Sequence, residues 1–242
     1  LEHSLTYALI EIADPRGTAE GLKSPAATVK RAALTAIDQM DDGGLDPKLA
    51  VDLLAAADAD LKEAASWIVG RHPEWAEAVA GFFRAQLRKD DLSAVDRADL
   101  ERQLARFGGT PAVQKLLTET LAHGTEVGNG RKLSALKAVA QSGLKEAPAA
   151  WISALAAILN GPDADLARQG VSTARALAVA PAKGAALVAP LLAIAGREGS
   201  PADLRLEALA AVPGGLKTVA PPVFDFLLGR LDPENAVAER SL

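Results

Sequence analysis

The chain has 242 residues, 49% of them hydrophobic but only 4% aromatic, and a formal net charge of −5. Burial must therefore come mainly from Ala, Leu and Val, a bias that suits close helix–helix packing and suits a β-sandwich poorly. The acidic balance gives no global basic field for nucleic acid, and the absence of cysteine excludes disulfides, Cys-ligated zinc, thiol catalysis and covalent c-type haem within these residues.

In chain order, residues 3–13 read as a helix without a first partner, and a short helix follows near 15–23. One pattern then recurs: an acidic or Pro-containing turn, an apolar residue, a basic residue, and small apolar residues at helical spacing. It occurs as Val29-Lys30-Arg31-Ala32-Ala33-Leu34, as Leu61-Lys62-Glu63-Ala64-Ala65, and more weakly as Leu100-Glu101-Arg102-Gln103-Leu104. It returns as Arg131-Lys132-Leu133-Ser134-Ala135-Leu136, as Leu166-Ala167-Arg168, and as Leu204-Arg205-Leu206-Glu207-Ala208. Successive copies lie about 31–39 residues apart, the range of helical repeat arrays.

Each copy reads as the second helix of a pair, because Asp, Ser and Pro at its start cap free amides or tolerate the first turn. The first helices read as roughly 46–56, 74–88, 111–122, 147–159, 184–196 and 218–230, with Val113, Leu116, Leu117, Thr120 and Leu121 on one face. Gly43-Gly44, Gly108-Gly109, Gly143 and Gly214-Gly215 stand where helices must stop and reverse. Pro190 falls inside its helix and is expected to kink it. The expected fold is all-α, a single α-solenoid of HEAT-like antiparallel helix pairs over 1–242, with about six repeats.

Both ends read as cut within a repeat, since Asp232-Pro233 opens a further second helix and neither end face carries a polar cap. The chain is accordingly expected to be an interior part of a longer protein. Its longest apolar stretch, Gly184 to Gly196, is about 13 residues, short of the ~18–20 that cross a bilayer, so no membrane span is expected.

Among candidate sites, Arg71-His72-Pro73-Glu74-Trp75 is the most distinctive local run. Trp67 and Trp75 could anchor a partner there together with Arg71 and His72. The plainer reading is a structural corner, with Pro73 starting a helix and both Trp rings filling the core. Lys30, Lys62, Lys132 and Arg205 recur at one register, with Arg168 offset by one. They form either a basic strip for phosphate or an acidic peptide, or, as favoured here, a ladder of ion pairs with Asp58, Asp60, Asp163, Asp165 and Asp203.

His3, His72 and His123 are far apart and match no metal-ligand spacing, so no metal site is expected. The Gly124 to Lys132 stretch fails both phosphate-loop patterns and follows no strand. No acidic spacing singles out a general acid–base pair, so no catalytic residue is assigned.

Three segments resemble a particular bacterial group: Glu2-His3-Ser4-Leu5-Thr6-Tyr7-Ala8-Leu9-Ile10-Glu11-Ile12, the run from Lys30 to Leu34 with Ala36-Ile37-Asp38-Gln39-Met40, and Trp67-Ile68 with Arg71 to Trp75. The group is the large exported proteins of planctomycetes and relatives, labelled membrane-bound dehydrogenase-like or haem-binding CxxCH proteins. In that family a sugar-dehydrogenase-like β-propeller precedes a HEAT region and a cytochrome c domain follows. The resemblance covers roughly the first 80 residues. It implies an extracytoplasmic location and a non-catalytic scaffold that holds neighbouring domains or a protein partner. The family's CxxCH is absent here, so no cofactor is carried over. Two other functions compete. A HEAT-scaffold DNA glycosylase would need a basic groove with aromatics, and a free-standing adaptor would take a peptide in its groove.

Overall fold

The computed structural model describes residues 2–122, 128–177, 179–216 and 218–231. His123 and the helix expected to open at Asp232-Pro233 lie outside them. Among the described residues there is no strand, and the architecture is all-α, of the α-solenoid kind. The helices are α1 Glu2–Ile12, α2 Pro15–Ala19, α3 Ala27–Gln39, α4 Pro47–Asp52, α5 Ala59–Arg71, α6 Ala76–Leu87 and α7 Ala94–Arg106. They continue as α8 Pro111–Ala122, α9 Asn129–Gln141, α10 Ala149–Leu159, α11 Ala164–Leu177, α12 Ala185–Gly196, α13 Ala202–Ala210 and α14 Pro221–Leu231. Short 3₁₀ turns at Glu20–Lys23, Leu53–Ala55 and Pro73–Trp75 extend α2 and α4 and lead into α6.

Local chemistry sets these boundaries. Asp58 Oδ1 accepts from Leu61 N at 2.8 Å and opens α5, Ser93 Oγ accepts from Asp96 N at 3.1 Å and opens α7, and Asp163 Oδ1 accepts from Leu166 N at 2.8 Å and opens α11. Each satisfies an amide that the helix itself leaves unpaired. Gly143, just past α9, has φ of +61°, a left-handed conformation that reverses the chain with no Cβ penalty. Gly43 is required for a different reason: a Cβ there would lie 1.8 Å from Ile37 O. Helix α12 runs through the buried Pro190, which sits in its second turn and cannot donate to the carbonyl of Ala186.

The helices cluster into two compact units: residues 1–91 with 110–116, and residues 92–109 with 117–242. In the first unit α1, α3 and α5 pack in one row and α4 packs on α6, with α4 also against α5. In the second, α7, α9, α11 and α13 form one row and α10, α12 and α14 another, joined by α10 on α11 and α12 on α13. Contacts that skip one helix along the chain are what stacking of antiparallel pairs produces.

The second helices of both units share a buried register. Ala33, Leu34, Ala36 and Ile37 on α3, Ala65, Ser66, Ile68 and Val69 on α5, and Ala135, Leu136, Ala138 and Val139 on α9 are all buried. One position departs from it. Leu61, Leu166 and Leu204 are buried at the start of their helices, but the corresponding Val29 is 45% exposed. Val29 instead lines an open apolar groove of about 610 Å³ together with Leu5, Leu9, Ile12 and Ala32.

Candidate functional site at the α5–α6 corner

Helix α5 stops at Arg71 because Pro73 disfavours helical backbone at the residue before it. His72 accordingly has φ −111° and ψ 75°. Pro73 then starts the 3₁₀ turn Pro73–Trp75 that feeds α6, and Trp75 N donates to His72 O at 3.0 Å. This turn lays the imidazole of His72 flat on the indole of Trp75, ring centroids 3.9 Å apart and planes 7° from parallel.

Both nitrogens of that imidazole face a carboxylate. Nε2 lies 2.7 Å from Asp38 Oδ1 and Nδ1 lies 2.6 Å from Glu74 Oε1. Asp38 comes from the last turn of α3, 34 residues earlier, and its side chain is only 1% exposed. Its second oxygen, Oδ2, has no hydrogen-bond partner but has Arg71 Nη1 at 3.8 Å. The Arg71 guanidinium in turn sits 4.5 Å from the centre of the Trp67 ring, a cation–π arrangement.

Burial opposes charge on His72, but its hydrogen bonds to Asp38 and Glu74 outweigh that, and the group is held above its ordinary value of 6.5. Glu74 is lowered in turn, first by the hydrogen bond from His72. The sequence treats the two tryptophans alike, and the structure separates them. Trp75 is 8% exposed and belongs to the packed corner; Trp67 is 46% exposed, on the surface of α5 beneath Arg71.

The basic positions are distributed differently. Lys30 and Lys62 are half-buried on α3 and α5 of the first unit, and Lys132 is half-buried on α9 of the second. Arg205 points inward: it is buried, donates from Nε to Ala195 O at 2.7 Å, and has its guanidinium 3.7 Å from the centre of Phe226. It packs α13 against α12 and α14 and is not part of an exposed basic strip. Rungs between successive second helices are made by neighbouring residues, Arg31 with Asp60 and Arg168 with Asp203, both at 2.8 Å. Asp163 also accepts from Asn129 Nδ2 at 2.6 Å, while Asp58 serves as a helix cap.

A second polar node lies in the second unit. Glu101 occupies the register of Lys62 and Lys132, is buried, accepts from Ser134 Oγ at 2.9 Å and has Lys137 Nζ at 3.6 Å. Ser134 and Lys137 stand at the S-x-x-K spacing that carries nucleophile and base in penicillin-binding enzymes, a signal legible in the sequence. Here Ser134 is 1% exposed and its proton is directed to Glu101. The spacing recurs at Ser142 and Lys145, where Ser142 Oγ donates to Val139 O at 2.8 Å at the end of α9. Both serines stitch backbone or helices together.

Neither the Asp38–His72 nor the Glu101–Ser134 partnership carries a sequence motif; only the repeat length of about 34 residues hints that such positions meet. Among the described residues no group of His, Asp and Glu is arranged to hold a metal ion, and no helix is long and apolar enough to cross a membrane. No family model matches the chain, and no curated protein matches it.

Proposed function

We propose that this chain is a non-catalytic scaffold whose α5 surface, centred on Trp67 and Arg71, holds a neighbouring domain or a protein partner. One observation carries the reading: Trp67 is a tryptophan left on the surface beneath a guanidinium, while the groups suited to chemistry nearby are already engaged. His72 has a carboxylate on each ring nitrogen, which leaves it no free lone pair with which to take a proton from a substrate. Trp and Arg are the residue types that most often dominate interface energetics.

The family resemblance supplies the finer form of this proposal. The chain would be the HEAT region of an exported redox protein, placed between a sugar-dehydrogenase-like propeller and a cytochrome c domain. Its location would then be extracytoplasmic. The flanking reading frame tests that form directly: a propeller upstream and a CxxCH downstream are expected, and the absence of both sinks it. The scaffold role is tested separately by titrating this chain against its separately expressed flanking domains. Saturable binding weakened at least about tenfold by Trp67→Ala or Arg71→Ala is expected for interface anchors. Binding indifferent to both substitutions would remove the α5 surface from the proposal.

A further inference from the structure

We propose that His72, clasped between Asp38 and Glu74, is a proton-operated latch that fastens the α5–α6 corner to α3 and releases its Glu74 arm as the pH rises. The argument starts from donor counting. A neutral imidazole has one N–H and one lone pair, whereas the imidazolium has two N–H groups. Carboxylates at 2.7 Å and 2.6 Å from the two ring nitrogens both need a donor. The geometry is therefore that of the charged ring, with each hydrogen bond charge-assisted. The indole of Trp75 lies against the face of the same ring, and a cation over indole is favoured over a neutral ring.

The charged groups acting on the ring come from two elements: Asp38 on α3 and Glu74 on the 3₁₀ turn. Arg71, on α5, approaches Asp38 at 3.8 Å and neutralises part of that carboxylate. When the ring loses its proton, one arm must be given up. Asp38 has almost no access to water, while the Glu74 side chain is 61% exposed and can be hydrated. A buried acceptor left without a donor is the costlier loss, so the remaining proton stays on Nε2 and Glu74 is the arm released. The Nδ1 lone pair then faces a carboxylate and repels it. The turn Pro73–Trp75 keeps its backbone bond from Trp75 N to His72 O but loses the side-chain fastening around it.

The sign follows from linkage. A histidine raised in the folded state contributes stability that is complete below its ordinary value and lost as the pH climbs through the raised value. Glu74, lowered in the folded state, contributes above its ordinary value and is lost as the pH falls through the lowered one. The latch is thus fully fastened between about pH 4.5 and pH 6.5, and opens on either side.

Histidine side-chain NMR on the intact chain tests this, with His72→Gln assigning the signal. The expected result is titration of His72 above the ordinary range, with an Nε2–H tautomer on the alkaline side. Glu74→Gln, an exposed change that spares the fold, should lower that midpoint. Amide exchange at Trp75, corrected for intrinsic rates, should rise at least about threefold between pH ~5.5 and pH ~9 in the wild type and stay flat in Glu74→Gln. Titration at or below the ordinary range, an Nδ1–H tautomer at high pH, or a midpoint unmoved by Glu74→Gln would each overturn the latch.

Discussion

The seam between α3 and α5 and the seam between α9 and α11, one in each unit, are built from the same apolar layer and closed by different polar stitches. In both, residues at i, i+1, i+3 and i+4 of the earlier helix are buried: Ala33, Leu34, Ala36 and Ile37 in one case, Ala135, Leu136, Ala138 and Val139 in the other. In the first seam the buried polar stitch is Asp38 to His72, whose ring can gain and lose a proton. In the second it is the buried hydroxyl of Thr173, which lies 3.1 Å from Leu136 O and 2.8 Å from Gln169 O, and has no charge to gain or lose. The apolar layer fixes how closely successive helices stack, and the stitch fixes which solution conditions the seam responds to. Two seams with one buried register can therefore differ in behaviour.

The largest effects should show the likeness. Leu34 and Leu136 occupy the same register and are both fully buried. Leu34→Ala and Leu136→Ala should each cost about 2–5 kcal/mol through lost transfer energy and the cavity left, measured by urea denaturation. A cost below about 1 kcal/mol at either position would break the claim that the two layers are equivalent.

The next effects should show the difference. Asp38→Ala removes the buried acceptor of the charged stitch and should cost about 1–3 kcal/mol near pH ~5.5. That penalty should shrink by pH ~9, because the hydrogen bond that neutral His72 keeps to Asp38 from Nε2 is no longer charge-assisted. Thr173→Val removes the neutral stitch at nearly constant volume and should cost about 0.5–1.5 kcal/mol, the same at both pH values. A pH-independent Asp38→Ala penalty, or a pH-dependent Thr173→Val one, would erase the distinction between the seams.

Much of the apolar layer is legible in the sequence, and little of the stitching is. The helix starts are marked by residues whose chemistry is local, such as Asp58, Ser93 and Asp163, and those fall where capping physics places them. The buried face of the 111–122 helix follows from spacing alone, and Val113, Leu116, Leu117, Thr120 and Leu121 are all buried. The direction of a long side chain is less accessible. Lys62 and Arg205 share a register, yet Arg205 is buried, because α14 brings Phe226 over it. Trp67 and Trp75 are eight positions apart in one distinctive run. The break at Pro73 puts them on different elements, one on the surface of α5 and the other at the packed corner. The His72–Asp38 contact depends on where the end of α3 lies beside the end of α5, and nothing local in either residue signals it.

The rungs on the surface give the smallest effects and the sharpest contrast with the latch. Arg31 and Asp60 meet at 2.8 Å across the same α3–α5 seam, but the Asp60 side chain is 77% exposed where that of Asp38 is 1%. Water therefore competes for both partners, and holding two long side chains in one geometry costs entropy. A double-mutant cycle with Arg31→Ala and Asp60→Ala should give a coupling of about 0–1 kcal/mol. Raising the salt to ~1 M shortens the Debye length to about 3 Å and should remove most of it. The Asp38–His72 coupling, shielded from bulk ions by its burial, should survive that salt and weaken instead at alkaline pH, where the hydrogen bond from Nε2 persists without its charge. If salt dissolved both couplings alike, burial would not be what separates latch from rung, and the seam would be held by ordinary surface pairs.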